Sequence, residues 1–325
     1  MQRFEHILFV ATPDTNDAGA FERTLRLAEA NQARVTVVDL RPAAATPPPN
    51  APAGITGELL REAVASASAA TLADYAQAAD GRVEVAVHTL YGIGFVEVVR
   101  AVLRDGHDLV VKAAEGAAGR RGSLFGSLDM HLLRKCPVPL LLARPTPDSP
   151  RYRRVLAAVD FDPQKPVEDG DSLNRRIVQA AADQALAEFA ELHVAHAWEA
   201  PFEGILRSRG VFSVESDAQR YVDAERDARE AALGRLIDAS RDWIGDDAYD
   251  YLRPTPHLRQ GTAGEAIPAI ASELAAELVV MGTVGRTGIA GLLIGNTAET
   301  ILDGIAASVL AIKPPGFRTP IEPAG

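Results

Sequence analysis

The chain contains two copies of one sequence pattern, and this internal repeat limits the possible fold more than any other feature. Residues 107–126 align with residues 276–295 at a constant offset of 169, without a gap. The aligned glycine pairs include Gly116 with Gly285, Gly119 with Gly288, and Gly126 with Gly295. Self-similarity over this length indicates that one domain is encoded twice.

The repeat also predicts the domain boundaries. The start of the chain aligns with a segment 148 residues later, so the second copy has 21 additional residues, which we place at 202–221. Between the copies, residues 143–154 include three prolines, which disfavour regular structure. We therefore predict a first domain at 1–146, a second at 151–316 and a C-terminal tail at 317–325.

Each copy alternates strand-like apolar runs with segments of helical periodicity. In the second copy, strands are predicted at 155–161, 192–198, 251–260, 278–281 and 308–312, and helices at 175–189, 222–243, 263–275 and 297–303. Strands separated by helices pair in parallel through right-handed crossovers. The predicted fold class is therefore α/β, with two doubly wound domains that bind ligands at the carboxyl ends of their strands.

Composition excludes several classes of partner. The formal net charge of −11 disfavours nonspecific binding to nucleic acid, which requires a basic surface. The sequence shows neither a signal peptide nor the ~18 consecutive apolar residues of a membrane span. Cys136 is the single cysteine, so no disulfide can form within the chain, and we expect a buried thiol. We predict a cytoplasmic protein without membrane insertion.

The segment 281–299 has the pattern of an anion site. A strand ends at Met281, Gly282 and Gly285 follow it, and Gly295 precedes a predicted helix. Glycines let the backbone approach a phosphate closely, and a helix N-terminus adds unpaired N–H groups and partial positive charge. Together these elements predict a phosphate-binding loop that needs no lysine.

The same residues also have a purely structural explanation that involves no ligand. Asn296 and Glu299 have the spacing of a capping box, which any helix can use. Glycines after a strand are also common in ordinary turns.

The pattern Gly-x2-Gly-x9-Gly, followed here by Asn296, is similar to the nucleotide motif of the universal stress protein family. The resemblance covers essentially the whole chain. It implies two Rossmann-like domains of the adenine nucleotide alpha hydrolase type, each with a five-stranded parallel sheet. It further implies ATP binding in many members and pairing of domains through their edge strands, with a homodimer of such pairs left open.

Residues of the second repeat that match the family's nucleotide site can be assigned one by one. Asp160 matches the acid that contacts adenine or ribose, Ala197 matches a residue lining the base pocket, and Asn296 stands where ATP binders usually have Ser or Thr. Arg286 is added as a candidate anion contact. The full predicted set is Ala158, Val159, Asp160, Ala197, Met281, Gly282, Val284, Gly285, Arg286, Gly295, Asn296 and Thr297.

The first repeat departs further from the motif. Ala113 stands in place of the first glycine, Thr12 in place of the acid, and Glu115 where phosphate would lie, whereas Gly126 and Ser127 are retained. A negative charge beside a phosphate is unfavourable. We interpret this repeat as a degenerate site and a structural partner.

Two residue pairs invite a metal interpretation. His193 and His196 lie three apart in a strand and point to opposite faces, so they cannot easily share an ion. Asp160 and Asp162 share a face and could hold Mg²⁺ through phosphate oxygens, although Pro163 favours a turn at Asp162. No direct metal ligand is predicted, and the expected cofactor is ATP, with Mg²⁺ as a candidate companion ion.

These observations favour a regulatory stress-response protein that binds ATP or a related nucleotide. The motif supplies no evident general base or nucleophile, so we expect no enzyme, with slow ATP hydrolysis left open. An adenylating or pyrophosphatase-type enzyme is disfavoured because no Ser/Gly-rich phosphate loop directly follows the first strand of either repeat. The Gly-Lys-Ser/Thr of a Walker loop follows no predicted strand. The remaining alternative is a binding protein for another nucleotide-linked metabolite, and this class includes metabolites that carry a lipid.

Overall fold

A computed structural model describes residues 4–12, 17–42, 56–115, 125–144, 151–167, 172–208, 215–283 and 295–323. The first repeat contains strands β1 (His6–Ala11), β2 (Arg34–Arg41), β3 (Val85–Tyr91), β4 (Leu109–Ala113) and β5 (Leu140–Ala143). Its helices are α1 (Ala18–Asn31), α2 (Gly57–Ala78), α3 (Gly94–Asp105) and α4 (Ser127–Lys135).

The second repeat follows the same order with additional helices. Its strands are β6 (Arg154–Ala158), β7 (Glu191–Trp198), β8 (Thr255–Gln260), β9 (Leu278–Gly282) and β10 (Ser308–Ile312). Its helices are α5 (Leu173–Glu188), α6 (Glu203–Arg207), α7 (Glu215–Ile244), α8 (Asp246–Leu252), α9 (Ala263–Glu273) and α10 (Asn296–Gly304).

The predicted placement of the 21 additional residues at 202–221 is only partly right. Ile7 pairs with Val35 in the first repeat and Val155 pairs with Leu192 in the second, so the offset between the repeats rises from 148 at β1 to 157 at β2. Nine of the additional residues therefore lie between β6 and β7, and the others lie between β7 and β8, where α6 is found.

The chain forms two compact units. Among the described residues, one unit contains 4–144 together with 308–323, and the other contains 151–283 together with 295–307. In the first, parallel strands lie in the order β3-β2-β1-β4-β5. In the second, parallel strands lie in the order β8-β7-β6-β9. Both orders are those of a doubly wound fold, and the predicted fold class is confirmed.

The last strand, β10, makes an antiparallel connection. It pairs with β5, with Leu310 opposite Leu141, and therefore belongs to the compact unit of the first repeat. All residues of β4, β5 and β10 are buried. Their buried runs, which are apolar except for Lys112 and Ser308, reflect strands that are covered on both faces.

One predicted strand is too long at its beginning. Tyr251 and Leu252 end helix α8, and the strand of the predicted segment 251–260 begins only at Thr255. Arg253, between the two, is in the left-handed conformation at φ 44° and ends the helix. Pro256 is accommodated because β8 lies at the end of its strand order, where a missing N–H leaves no ladder partner unpaired.

Two buried histidines at the amino ends of β1 and β4 should make the first repeat sensitive to acid. The rings of His6 and His107 lie 3.9 Å apart. His107 is 3% exposed, and burial, together with the charge of His6, lowers its pKa from 6.5 to about 4. Burial also lowers the pKa of His6. Both side chains are therefore neutral in the folded protein at neutral pH.

We expect the free energy of unfolding to fall as the pH drops from 6.5 toward 4. In this window the unfolded chain binds more protons than the folded one, which removes up to about 3 kcal/mol for His107. Urea unfolding at several pH values measures the slope. His107→Gln should flatten it, whereas replacement of the exposed His88 by Gln should not. Equal slopes for the parent and His107→Gln would contradict this account.

Candidate functional site

The carboxyl ends of β6 and β9 bring the first predicted residues together. These strands are neighbours, with Ala158 opposite Met281. Strand β6 pairs on its other side with β7, so the chain order changes direction between β6 and β9. This is the switch point at which doubly wound sheets bind ligands. Met281 is buried beneath the site, and Ala158 is half-buried.

An asparagine that the sequence analysis missed fixes the backbone at Asp160. The Asn174 Nδ2 donates to the carbonyl oxygen of Asp160 at 2.8 Å, and the N–H of Asp160 donates to Asn174 Oδ1 at 3.1 Å. Asn174 is held in turn because Ser172 caps α5 by accepting from the N–H of Arg175. The exposed Asp160 side chain is thereby carried on an ordered turn.

The β7 side of the site has an aromatic pair that the sequence analysis also missed. His196 Nδ1 lies 3.2 Å from the carbonyl oxygen of Val159, so that nitrogen carries the proton and donates. The ring of Phe161 stacks on His196 with centroids 3.8 Å apart. His193, by contrast, contacts His257 of β8, Nδ1 to Nε2, at 3.0 Å. The half-buried Ala197 follows His196 on β7.

Gly282 and the N-terminus of α10 form what we call the α10 cradle, defined by Gly282, Gly295 and residues 296–298. Gly282 ends β9, where a Cβ would lie 2.7 Å from Leu173 Cδ2. Gly295 is the N-cap of α10, and its N–H donates to the carbonyl oxygen of Thr283 at 3.2 Å. Val284, Gly285 and Arg286 lie outside the described residues, so their predicted roles stay predictions.

The capping-box explanation of this segment is wrong. Helix α10 begins at Asn296 with Gly295 as its N-cap, one residue earlier than a capping box requires. Its N-cap, Gly295, has no side chain with which to cap the helix. The first turn of α10 therefore presents backbone N–H groups at the carboxyl ends of β6 and β9, which is the arrangement that binds anions.

Glycines also set how closely α10 packs on α9. A Cβ on Gly264 would lie 2.5 Å from Thr300 Cγ2, and one on Gly304 would lie 2.8 Å from Pro268 Cγ. The two helices therefore pack too closely for a larger residue at either glycine, and this close packing fixes the position of α10.

In the first repeat, a side chain of the protein lies at the position that corresponds to the α10 cradle. Helix α4 has Gly126 as its N-cap, and the Asp129 Oδ2 accepts from the N–H of Gly126 at 3.2 Å and from that of Glu115 at 2.7 Å. The Asp129 Oδ1 lies 2.9 Å from Lys112 Nζ, and both side chains are 0% exposed. A carboxylate of the protein thus lies at this helix N-terminus and accepts from its N-cap N–H.

Glu115 completes the cluster. Its Oε1 lies 2.9 Å from Lys112 Nζ, and its side chain covers Gly126 so closely that a Cβ there would overlap the carboxylate. Burial raises the pKa of Asp129, and the adjacent Lys112 opposes that rise. The degenerate-site interpretation rested on Thr12, Ala113 and Glu115. It missed Lys112 and Asp129, which align at the offset of 169 with apolar residues of the second repeat, Met281 and Ala298.

Two searches of the described residues give negative results. Nowhere in the part of the chain that the structure describes do three or more His, Cys, Asp or Glu side chains cluster in a metal-binding arrangement. Among the same residues, no helix is long and apolar enough to span a membrane.

Comparison with protein families decides the assignment. The model of the universal stress protein family matches residues 3–144 and again residues 151–313. The chain belongs to the universal stress protein family. It is a tandem member, because each of its repeats matches the family model separately.

Relatives and solved structures support the tandem form. Universal stress protein E of Escherichia coli (strain K12) is 32% identical over 229 residues, which cover 70% of this chain and 67% of the relative. Universal stress protein E of Photorhabdus laumondii is 26% identical over 336 residues, covering 100% of this chain and 99% of the relative. A putative universal stress protein from Pseudomonas aeruginosa UCBPP-PA14 has the same fold, with a TM-score of 0.65 at 24% identity, over 96% of this chain and 94% of that one.

Proposed function

We propose that this chain is a regulatory stress-response protein that binds ATP or a related nucleotide in its second repeat, residues 151–316. The observation that carries the proposal is the α10 cradle, where a helix N-terminus with glycine, Gly295, as its N-cap meets the carboxyl ends of β6 and β9. Three or four backbone N–H groups directed at one place favour a ligand with several negative oxygens.

In this proposal each part of the site binds one part of the nucleotide. The phosphates lie at the α10 cradle and against the glycines of the preceding loop, where Asn296 and Thr297 add side-chain donors and Arg286 adds charge. Asp160 accepts from the ribose or adenine. The small or apolar side chains line the base pocket; they are Ala158, Val159, Ala197, Met281 and Val284.

The proposed role is binding and not turnover. Among the described residues assigned to the site, no nucleophilic side chain is paired with a general base. Any ATP hydrolysis should therefore be slow. A ligand that binds one conformation better than another shifts the population toward it, and this is how a bound nucleotide would regulate a partner. Pairing of β10 with β5 supports the proposal that the two repeats pair within one chain.

Calorimetric titration of ligand-free protein tests the proposed site. We expect one ATP per chain, and adenosine should bind at least about tenfold weaker because it lacks the groups that charge-assisted N–H bonds recognise. Failure of every adenine nucleotide to bind, or equal affinity for adenosine and ATP, would contradict the proposal. Mass spectrometry of small molecules released from freshly purified protein identifies the ligand, and a nucleotide joined to another group would favour the metabolite-binding alternative.

A further inference from the structure

We propose that Asp129 is a built-in anion that fills the first repeat's phosphate place, so that the chain binds one nucleotide and not two. This inference rests on the proposed function of the second repeat and adds what determines the choice between the repeats. Asp129 is thus a specificity-determining residue, together with its partners Lys112 and Glu115.

A carboxylate already lies at the N-terminus of α4. The Asp129 carboxylate accepts from the N–H of the N-cap, Gly126, at 3.2 Å and from the N–H of Glu115 at 2.7 Å. Asp129 is 0% exposed and cannot swing into solvent without opening the packing of α4. A ligand would therefore have to displace a buried carboxylate from its donors before it could bind.

The charge of the cluster adds to this barrier. Lys112 supplies one positive charge, also 0% exposed, and it lies 2.9 Å from a carboxylate oxygen of both Asp129 and Glu115. Two carboxylates therefore already neutralise the Lys112 ammonium, which is not available to a phosphate. A phosphate would bring two like charges into contact where water screens them poorly, so the cluster excludes anions in addition to occupying their donors.

The second repeat lacks each of these three groups. At the offset of 169, Lys112, Glu115 and Asp129 correspond to Met281, Val284 and Ala298. Ala298 lies in the first turn of α10 and has no oxygen with which to occupy the α10 cradle. The difference between a filled and an open site is therefore contained in three substitutions, all of which replace charge by an apolar side chain.

Exchanging these residues between the repeats tests the inference. The opened variant carries Lys112→Met, Glu115→Val and Asp129→Ala, and the closed variant carries Met281→Lys, Val284→Glu and Ala298→Asp. The readout is the number of ATP molecules bound per chain, measured by calorimetry and native mass spectrometry. We expect one for the parent, two for the opened variant and none for the closed variant. The second ATP should bind more weakly, within about a hundredfold of the first, because Thr12 and Ala113 replace Asp160 and Gly282.

The outcomes separate this inference from the proposed function. A parent that binds no ATP contradicts the proposed function, whereas a parent that binds two contradicts the inference alone. A folded opened variant that still binds one ATP also overturns the inference.

A single substitution keeps the test decisive if the triple variants do not fold. Ala298→Asp places a carboxylate in the first turn of α10, where it favours the helix, and should weaken ATP binding at least about a hundredfold. Ala306→Asp is the matched control, because it makes the same change at an exposed position beyond the other end of α10. Unchanged affinity in Ala298→Asp, or equal losses in both variants, would overturn the inference.

Discussion

Replacing Gly295 with aspartate should abolish nucleotide binding while leaving the protein as stable as the parent. Gly295 has φ −63° and ψ 141°, a conformation open to any residue, so a side chain can be added without backbone strain. Aspartate is a favoured N-cap, since its carboxylate accepts from N–H groups of the first turn. In Gly295→Asp that carboxylate would occupy the α10 cradle, as Asp129 does at α4.

The expected size of the effect follows from the lost contacts. Loss of the phosphate's charge-assisted bonds, with like-charge repulsion added, should weaken ATP binding by about a hundredfold or more. The melting temperature should stay equal or rise slightly. Affinity is measured by calorimetry and stability by thermal unfolding, with Ala306→Asp again as the control. Affinity within about threefold of the parent would contradict the proposed site.

Replacing Lys112 with methionine should cost the first repeat about 3 kcal/mol or more in its free energy of unfolding. Lys112 and Asp129 are both 0% exposed, and removing one partner of a buried pair leaves a charge without compensation. Here the loss is aggravated because Glu115 remains beside Asp129. Methionine is also the residue at the corresponding position of the second repeat, Met281, so its shape is known to suit such a strand.

A double-mutant cycle separates charge from packing. Lys112→Met with Asp129→Ala should recover at least about half of the loss, because the orphaned carboxylate is removed with its partner. Urea unfolding measures each variant. Arg104→Met is the control, since it breaks an ion pair with Asp105 that is exposed and should cost no more than about 1 kcal/mol. A double variant as unstable as Lys112→Met alone would show that packing, not charge, dominates.

The fold could be predicted because its signals are local and occur twice. Apolar runs such as those of β4 and β9, each followed by a helix, specify a parallel sheet wherever they occur. The error at Tyr251 arose from a segment in which a helix end and an edge strand adjoin. Pro254 and Pro256 have no backbone N–H, so this segment lacks hydrogen bonds that would distinguish a helix from a strand.

The candidate site was predicted less completely, since part of it depends on contacts between distant residues. Asn174 supports Asp160 from another element, and no spacing in the sequence identifies such a bond. The start of α10 depends on the hydrogen bond from Gly295 to Thr283, which moves the N-cap one residue ahead of the Asn-x-x-Glu pattern. Lys112 did leave a signal, because a lysine inside the buried run of β4 requires a buried partner.

The antiparallel pairing of β5 with β10 has a consequence for how the polypeptide can be divided. Strand β10 lies beside a strand that ends at Ala143, so the compact unit of the first repeat is built from two stretches that are far apart in the sequence. A peptide bond broken between residues 144 and 151 would leave two pieces held by a strand pair. A fragment ending at residue 146 would instead expose β5 as an unpaired edge, prone to associate with other chains. The two repeats are therefore not separable at the sequence boundary between them. The first repeat needs β10, a strand of the second repeat, to cover the edge of β5.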